Sequence, residues 1–290
     1  MGRNWYLLWS GSAISALGDG IFLAALPLLA ATLTQDPKLV AGVSFFGTLP
    51  WLLFSLSAGA AADRHNGRHL LLAALWVQCA LMAVLAVFHS AHIVFLYGMA
   101  FLIGAAETIP KAVGQPLIKA TVDDQLLERA NGRLFSSQAV ALQFVGPPLG
   151  GLLFALAVPA PFWVNALTFA IAAALVTKMR IAHNAPVTRP KAREGLRWLL
   201  EHEALRTITV VSATTNLCIA MTMATLVLFA RQRLGLSGAG FGAFLATLAC
   251  GGVAGGLLAE RLLARVRHAV EATVVAIPLL WLGLRRWPTA

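Results

Sequence analysis

Three ionisable residues of this 290-residue chain, Asp19, Glu107 and Lys111, stand inside stretches that otherwise carry no charge. Asp19 lies about 14 residues into an apolar run that begins at Trp5, which on a helix is about 20 Å of rise. Glu107 and Lys111 are four apart in a second run and share one face of a helix. In hydrocarbon each such charge costs about 2.5–3.5 kcal/mol unless it is paired or hydrated, so it is a functional candidate by default. Moving a carboxylate out of water favours its protonated form, and a group poised that way can bind and release a proton. Asp19 or Glu107 is therefore a candidate proton carrier, with Lys111 as counter-ion. The alternative is a structural Glu107–Lys111 pair.

Other chemistry finds little support in the residue pattern. Cys79, Cys218 and Cys250 all fall in apolar stretches, with neither metal-ligand spacing nor a disulfide pattern. The seven histidines show no metal spacing, and no Ser/His/Asp or Cys/His constellation can be assembled. Gly238-Ala-Gly240-Phe-Gly242 lacks the spacing and the strand–helix context of a nucleotide loop. The expectation is no catalytic residue, no metal and no cofactor, and hence no enzyme. A net charge of +10 invites a nucleic-acid reading, but no soluble basic face exists to carry it.

The elements that position these residues follow from composition. Hydrophobic residues make up 59% of the chain and charged ones 12%, about half the share in a soluble domain. Stretches such as 70–88 and 163–177 hold no Asp, Glu, Lys or Arg, and about 18 apolar residues suffice to cross a bilayer as a helix. Nine spans are expected: 5–33, 38–62, 69–88, 93–118, 134–156, 161–179, 205–230, 238–262 and a short one at 269–284. The first is too long for a signal peptide and contains an acid. With the N-terminus in the cytoplasm, sixteen Lys/Arg residues fall inside and five outside, so that orientation is expected. Trp5, Tyr6 and Trp9 sit where an interfacial anchor belongs. The stretch 189–202 reads either as an amphipathic surface helix or as a solvated linker.

A repeat runs through the chain. Gly59-Ala-Ala-Ala-Asp63-Arg64 closes the second span, and Gly256-Leu-Leu-Ala-Glu260-Arg261 closes the eighth, 197 residues later. Gly146-Pro147-Pro148-Leu149-Gly150-Gly151 in the fifth span removes helical hydrogen bonds and offers a small-residue face. Gly251, Gly252, Gly255 and Gly256 in the eighth offer a matching one.

With Gly59-x-x-x-Asp63-Arg64-x-x-Gly67-Arg68, the chain resembles the major facilitator superfamily, whose signature loop joins helices 2 and 3. The Gly146–Gly151 segment resembles that superfamily's antiporter motif. Ser15-Ala-Leu-Gly-Asp19 and Glu128-Arg-Ala-Asn131 resemble its macrolide-efflux and siderophore-exporter subgroup. The resemblance implies an all-α polytopic bundle: a six-helix half at 1–180, a cytoplasmic linker at 181–204, and an incomplete second half at 205–290. It implies proton-coupled export of an amphipathic small molecule by alternating access, driven by a proton gradient, from a monomer in the cell membrane; a facilitator or importer is the alternative. Gly59, Asp63, Arg64, Gly67, Arg68, Gly256, Glu260 and Arg261 would form the cytoplasmic gate, with Gly59 allowing close approach and Gly67 a tight turn. Gly146, Pro147, Gly150 and Gly151 would pack the fifth helix on Gly251, Gly252 and Gly255 of the eighth. Helix 4 departs from the superfamily's pattern, since 97–104 lacks its usual arginine. A repeat of 197 residues implies a whole chain of roughly 390–400, which makes this one C-terminally truncated and leaves a non-transporting fragment as a further alternative.

Overall fold

In the computed structural model, residues 1–89, 92–179 and 201–263 are described. All their regular structure is helical: α1 (Arg3–Leu33), α2 (Pro37–Arg64), α3 (Gly67–Val87), α4 (Ile93–Lys119), α5 (Leu127–Ala139), α6 (Gly146–Leu156), α7 (Ala160–Thr177), α8 (Glu203–Gln232) and α9 (Gly238–Leu263). A 3₁₀ turn at Asp124–Leu126 leads into α5, and a π-helical turn at Val140–Val145 joins α5 to α6. Seven of these segments, counting Asp124–Leu156 as one, are long and apolar enough to cross a membrane. The ninth expected span, 269–284, and the linker at 181–200 lie outside the described residues.

The spans agree with expectation to a few residues except the fifth, which is helical from Leu127 rather than 134. Its first turns carry Glu128, Arg129, Asn131 and Arg133. They form a polar helix that continues beyond the apolar stretch and escapes a hydropathy count. The π turn has a local cause. Pro147 and Pro148 have no N–H to donate, so the carbonyls one turn earlier lose their partners and the helix widens there.

Met1–Arg189 and Ala224–Thr247 make one compact unit, and Pro190–Met223 with Leu248–Ala290 the other. Within the first, α1 packs on α6 and α7, α2 on α4, and α3 on both α4 and α7. Trp5, Phe162 and Phe169 are buried between these helices. Leu52 and Leu56 of α2 are instead 80% and 70% exposed. Polar side chains lie inside, with Gln78, Thr108, Asn165 and Thr168 all buried. Apolar residues outside and polar ones within suit a lipid surround, where an exposed leucine costs nothing and an unpaired amide is expensive. In the second unit, Ile208 and Val210 of α8 and Val253 of α9 are exposed.

The connection between α2 and α3 corrects one expectation. Gly67 is the first helical residue of α3, and among the described residues only Gly235 has positive φ. The chain turns through extended His65 and Asn66 instead, and the Asn66 carboxamide oxygen accepts from the Arg68 backbone N–H at 3.0 Å. That is ordinary N-capping, which needs no glycine. The Arg68 side chain donates from Nε to the Val176 carbonyl at 3.2 Å and from Nη2 to the Thr177 carbonyl at 2.6 Å. A guanidinium thus closes the negative end of α7. Arg68→Ala should cost about 2 kcal/mol by the usual worth of charged hydrogen bonds, lowering the melting temperature in detergent by several degrees. An unchanged melting curve would remove this role.

Candidate functional site

α1 and α4 meet only marginally, and a cavity of about 390 Å³ opens between them, closed by α3, α5 and α7. Asp19, Glu107 and Lys111 all line it. Three charges separated by up to 92 residues of sequence are thereby brought to one space.

Their geometry is unequal. Lys111 Nζ lies 2.9 Å from Glu107 Oε1 and 3.5 Å from the centre of the Trp51 ring, so the ammonium is held between a carboxylate and an aromatic face. Asp19 has no hydrogen bond or salt bridge among the described residues. Its direction is set by its neighbour. A Cβ on Gly18 would collide with Thr168 Oγ1 and Asn165 Oδ1 of α7, so α1 is pressed onto α7 there. Asp19, about 100° further round the helix, turns to the cavity.

The remaining lining is polar on one side and apolar on the other. Ser12, Ser15, Gln78, Gln115 and Gln138 contribute the first; Leu71, Leu75 and Phe169 contribute to the second. Gln78 is only 3% exposed, and its Oε1 has no partner among the described residues. A buried unpaired acceptor costs about 1–3 kcal/mol. Asn165 Nδ2 is in the same position against α1. The innermost lining residues are Asp19 on α1, Gln78 on α3 and Glu107 on α4, while Leu8, Leu71 and Ile118 line the cavity nearer the helix ends. The cavity therefore occupies only the half of the bundle toward the N-terminus of α1, with its inner limit about 17–24 Å along these helices.

A family model described as the Major Facilitator Superfamily matches residues 8–286. The chain belongs to this superfamily of membrane transporters. It is a multi-pass membrane protein with that superfamily's all-α bundle. Among solved structures it is similar to a bacterial homolog of the human lysosomal transporter Spinster, in inward-facing and unoccupied conformation, with TM-score 0.72 and 15% identity over 92% of this chain and 64% of that one. It is also similar to an auto-inhibited POT family peptide transporter, with TM-score 0.50 and 19% identity over 87% of this chain and 54% of that one. At such identities the likeness shows the fold alone, and the chain spans less than two thirds of either structure's length. No curated protein sequence matches it.

The facilitator signature residues are spread over several settings. Asp63 and Arg64 close α2, and Arg64 is exposed in its last turn. Arg68 sits on the end of α7. Gly59 was expected at a close helix approach, but a Cβ there would meet open space. Gly256, Glu260 and Arg261 continue α9. The Gly-Pro segment does pack closely, but largely on other partners than expected. A Cβ on Gly146 would lie 2.5 Å from Gly20 Cα, and one on Gly150 would strike the Ile21 carbonyl, so both serve α1. Gly151 does meet α9, at Gly238, and Gly242 lies against the Pro147 carbonyl. Gly251, Gly252 and Gly255 face open space, because contact is made at the start of α9 rather than its middle. The spacing and charge pattern thus missed Gly20, Trp51, Gln78, Gly238 and Gly242. The small-residue run at 238–242 was a usable signal for the last two.

Proposed function

We propose that this chain is a proton-coupled secondary transporter that exports an amphipathic small molecule by alternating access, with Asp19 as its proton carrier. The observation that carries this reading is the convergence of Asp19, Glu107 and Lys111 on one cavity in the middle of apolar helices. Glu107 is occupied by Lys111, whereas Asp19 is open to the cavity and to whatever enters it. Protonation and cargo then compete for, or share, the same small volume, and a two-sided bundle couples their movements. The excess of Lys and Arg on the side of the N-terminus supports a cytoplasmic N-terminus in the cell membrane. On that orientation the cavity faces the cytoplasm. The export direction rests on the likeness of Gly146–Gly151 to an antiporter motif, and an amphipathic cargo fits walls that are half polar and half apolar.

Reconstitution of the full chain into liposomes with an internal pH-sensitive dye tests this. Adding a panel of amphipathic drugs should dissipate an imposed pH gradient in a saturable way. Gradients that hold in a folded, reconstituted sample would favour a non-transporting membrane protein with a scaffold role.

A further inference from the structure

The inner end of the cavity is built almost wholly of hydrogen-bond acceptors. Asp19 and Glu107 contribute carboxylates, and Gln78 a carboxamide oxygen that nothing in the described residues satisfies. The strong donor at that level, Lys111, is already engaged by Glu107 and by Trp51. Gln78 is as buried as the core leucines around it, yet its neighbours Leu71 and Leu75 on the same face of α3 line the same cavity. A packing position would hold another apolar residue there. An acceptor surplus of this kind is complementary to a molecule whose leading end brings N–H donors and positive charge.

We propose that Gln78 is a specificity-determining residue that reads an amine: the cargo enters with a protonated primary or secondary amino group foremost, which donates one N–H to Gln78 Oε1 while its charge faces Asp19. The apolar side, with Leu71, Leu75 and Phe169, takes the hydrophobic remainder. This deepens the transport reading and rests on it for the word cargo, but binding itself is separable from transport. A site that must hydrogen-bond a ligand rejects an analogue lacking the donor far more strongly than an apolar pocket rejects a missing methylene.

The test uses purified full-length protein in a non-ionic detergent and three matched probes: a long-chain primary alkylamine, its N,N,N-trimethyl analogue, and the corresponding alcohol. The trimethyl compound keeps the charge and loses every donor; the alcohol keeps a donor and loses the charge. Titration calorimetry should show the amine binding at least tenfold more tightly than either. In Gln78→Leu the preference for amine over trimethyl analogue should vanish while binding of the trimethyl analogue stays within a factor of about three. Gln78→Glu, which keeps an acceptor and adds charge, should retain that preference. Equal affinity of the native protein for amine and trimethyl analogue would overturn the proposal, as would an undiminished preference in Gln78→Leu; either result means that water alone satisfies Gln78. Should Gln78→Leu fail to fold, the native comparison and Gln78→Glu still decide. The dye-loaded liposomes run in parallel separate the two readings. Amine selectivity without proton flux removes transport and leaves the site, whereas flux without selectivity does the reverse.

Discussion

Asp19→Asn should abolish cargo-driven proton movement in reconstituted liposomes, by tenfold or more, while leaving a folded, monodisperse protein. Asparagine keeps the size of the side chain and its place beside the cavity but cannot bind and release a proton. Asp19 has no hydrogen bond or salt bridge among the described residues for the change to break, so its structural cost is small. Glu107→Gln should behave differently. It removes the carboxylate that lies 2.9 Å from Lys111, leaving the ammonium against Trp51 alone. Both members of that pair are partly open, at 55% and 33% side-chain exposure, so solvent in the cavity limits the loss. Partial coupling should survive, and Glu107→Gln combined with Lys111→Met should recover folding stability lost by the single change. If Asp19→Asn retained full coupled flux while Glu107→Gln lost it, the carrier would be Glu107 and the roles of the two acids would be reversed.

The second large effect concerns backbone contact. Gly146→Ala should sharply reduce the yield of folded protein, and Gly146→Leu should eliminate it, judged by size-exclusion profiles in detergent. An added Cβ would sit 2.5 Å from Gly20 Cα and 2.8 Å from the Ala141 carbonyl oxygen, and neither is the movable end of a side chain. The two helices would have to separate, at a cost of about 1–3 kcal/mol or more for the first methyl. Gly59→Ala is the matched control. It lies in the signature loop segment, yet its Cβ meets nothing within 4 Å. A glycine-to-alanine change in an open helix position typically gains about 0.5–1 kcal/mol, so the melting temperature should hold or rise. The same substitution thus takes opposite signs at two motif glycines. Equal effects at both positions would mean that the contacts of α1 with α6 do not limit stability.

The class of protein was legible in the sequence because a bilayer imposes coarse requirements. Helices must be long, apolar and closed on their own hydrogen bonds, and such a signal survives without knowledge of any contact. The charges of Asp19, Glu107 and Lys111 were legible for the same reason, since an ion in an apolar run stands out against its surroundings. The Glu107–Lys111 pair followed from helix periodicity, as the two are one turn apart. Gln78 was not legible: an uncharged amide inside a span costs less than an ion, and its meaning depends on which helices face it. Trp51 was hidden likewise, because only the packing of α2 on α4 brings its ring beneath Lys111.

The glycines divide along the same line. A Gly-rich stretch announces close packing but not against what, and the expected partner of 146–151 in the middle of α9 gave way to Gly20 on α1 and to Gly238 and Gly242 at the start of α9. Likewise Gly67 looked like a turn residue, while the structure turns on the Asn66 cap, and Arg68 looked like a gate residue but holds the end of α7. By itself the sequence determined a membrane-spanning helical bundle, its charged interior positions and the family motif, since these depend on composition and on one-dimensional spacing. Only the tertiary structure decided which helices enclose the cavity, which carboxylate is left open within it and which glycines touch, because those depend on contacts between residues up to about a hundred positions apart, which helix periodicity does not reach.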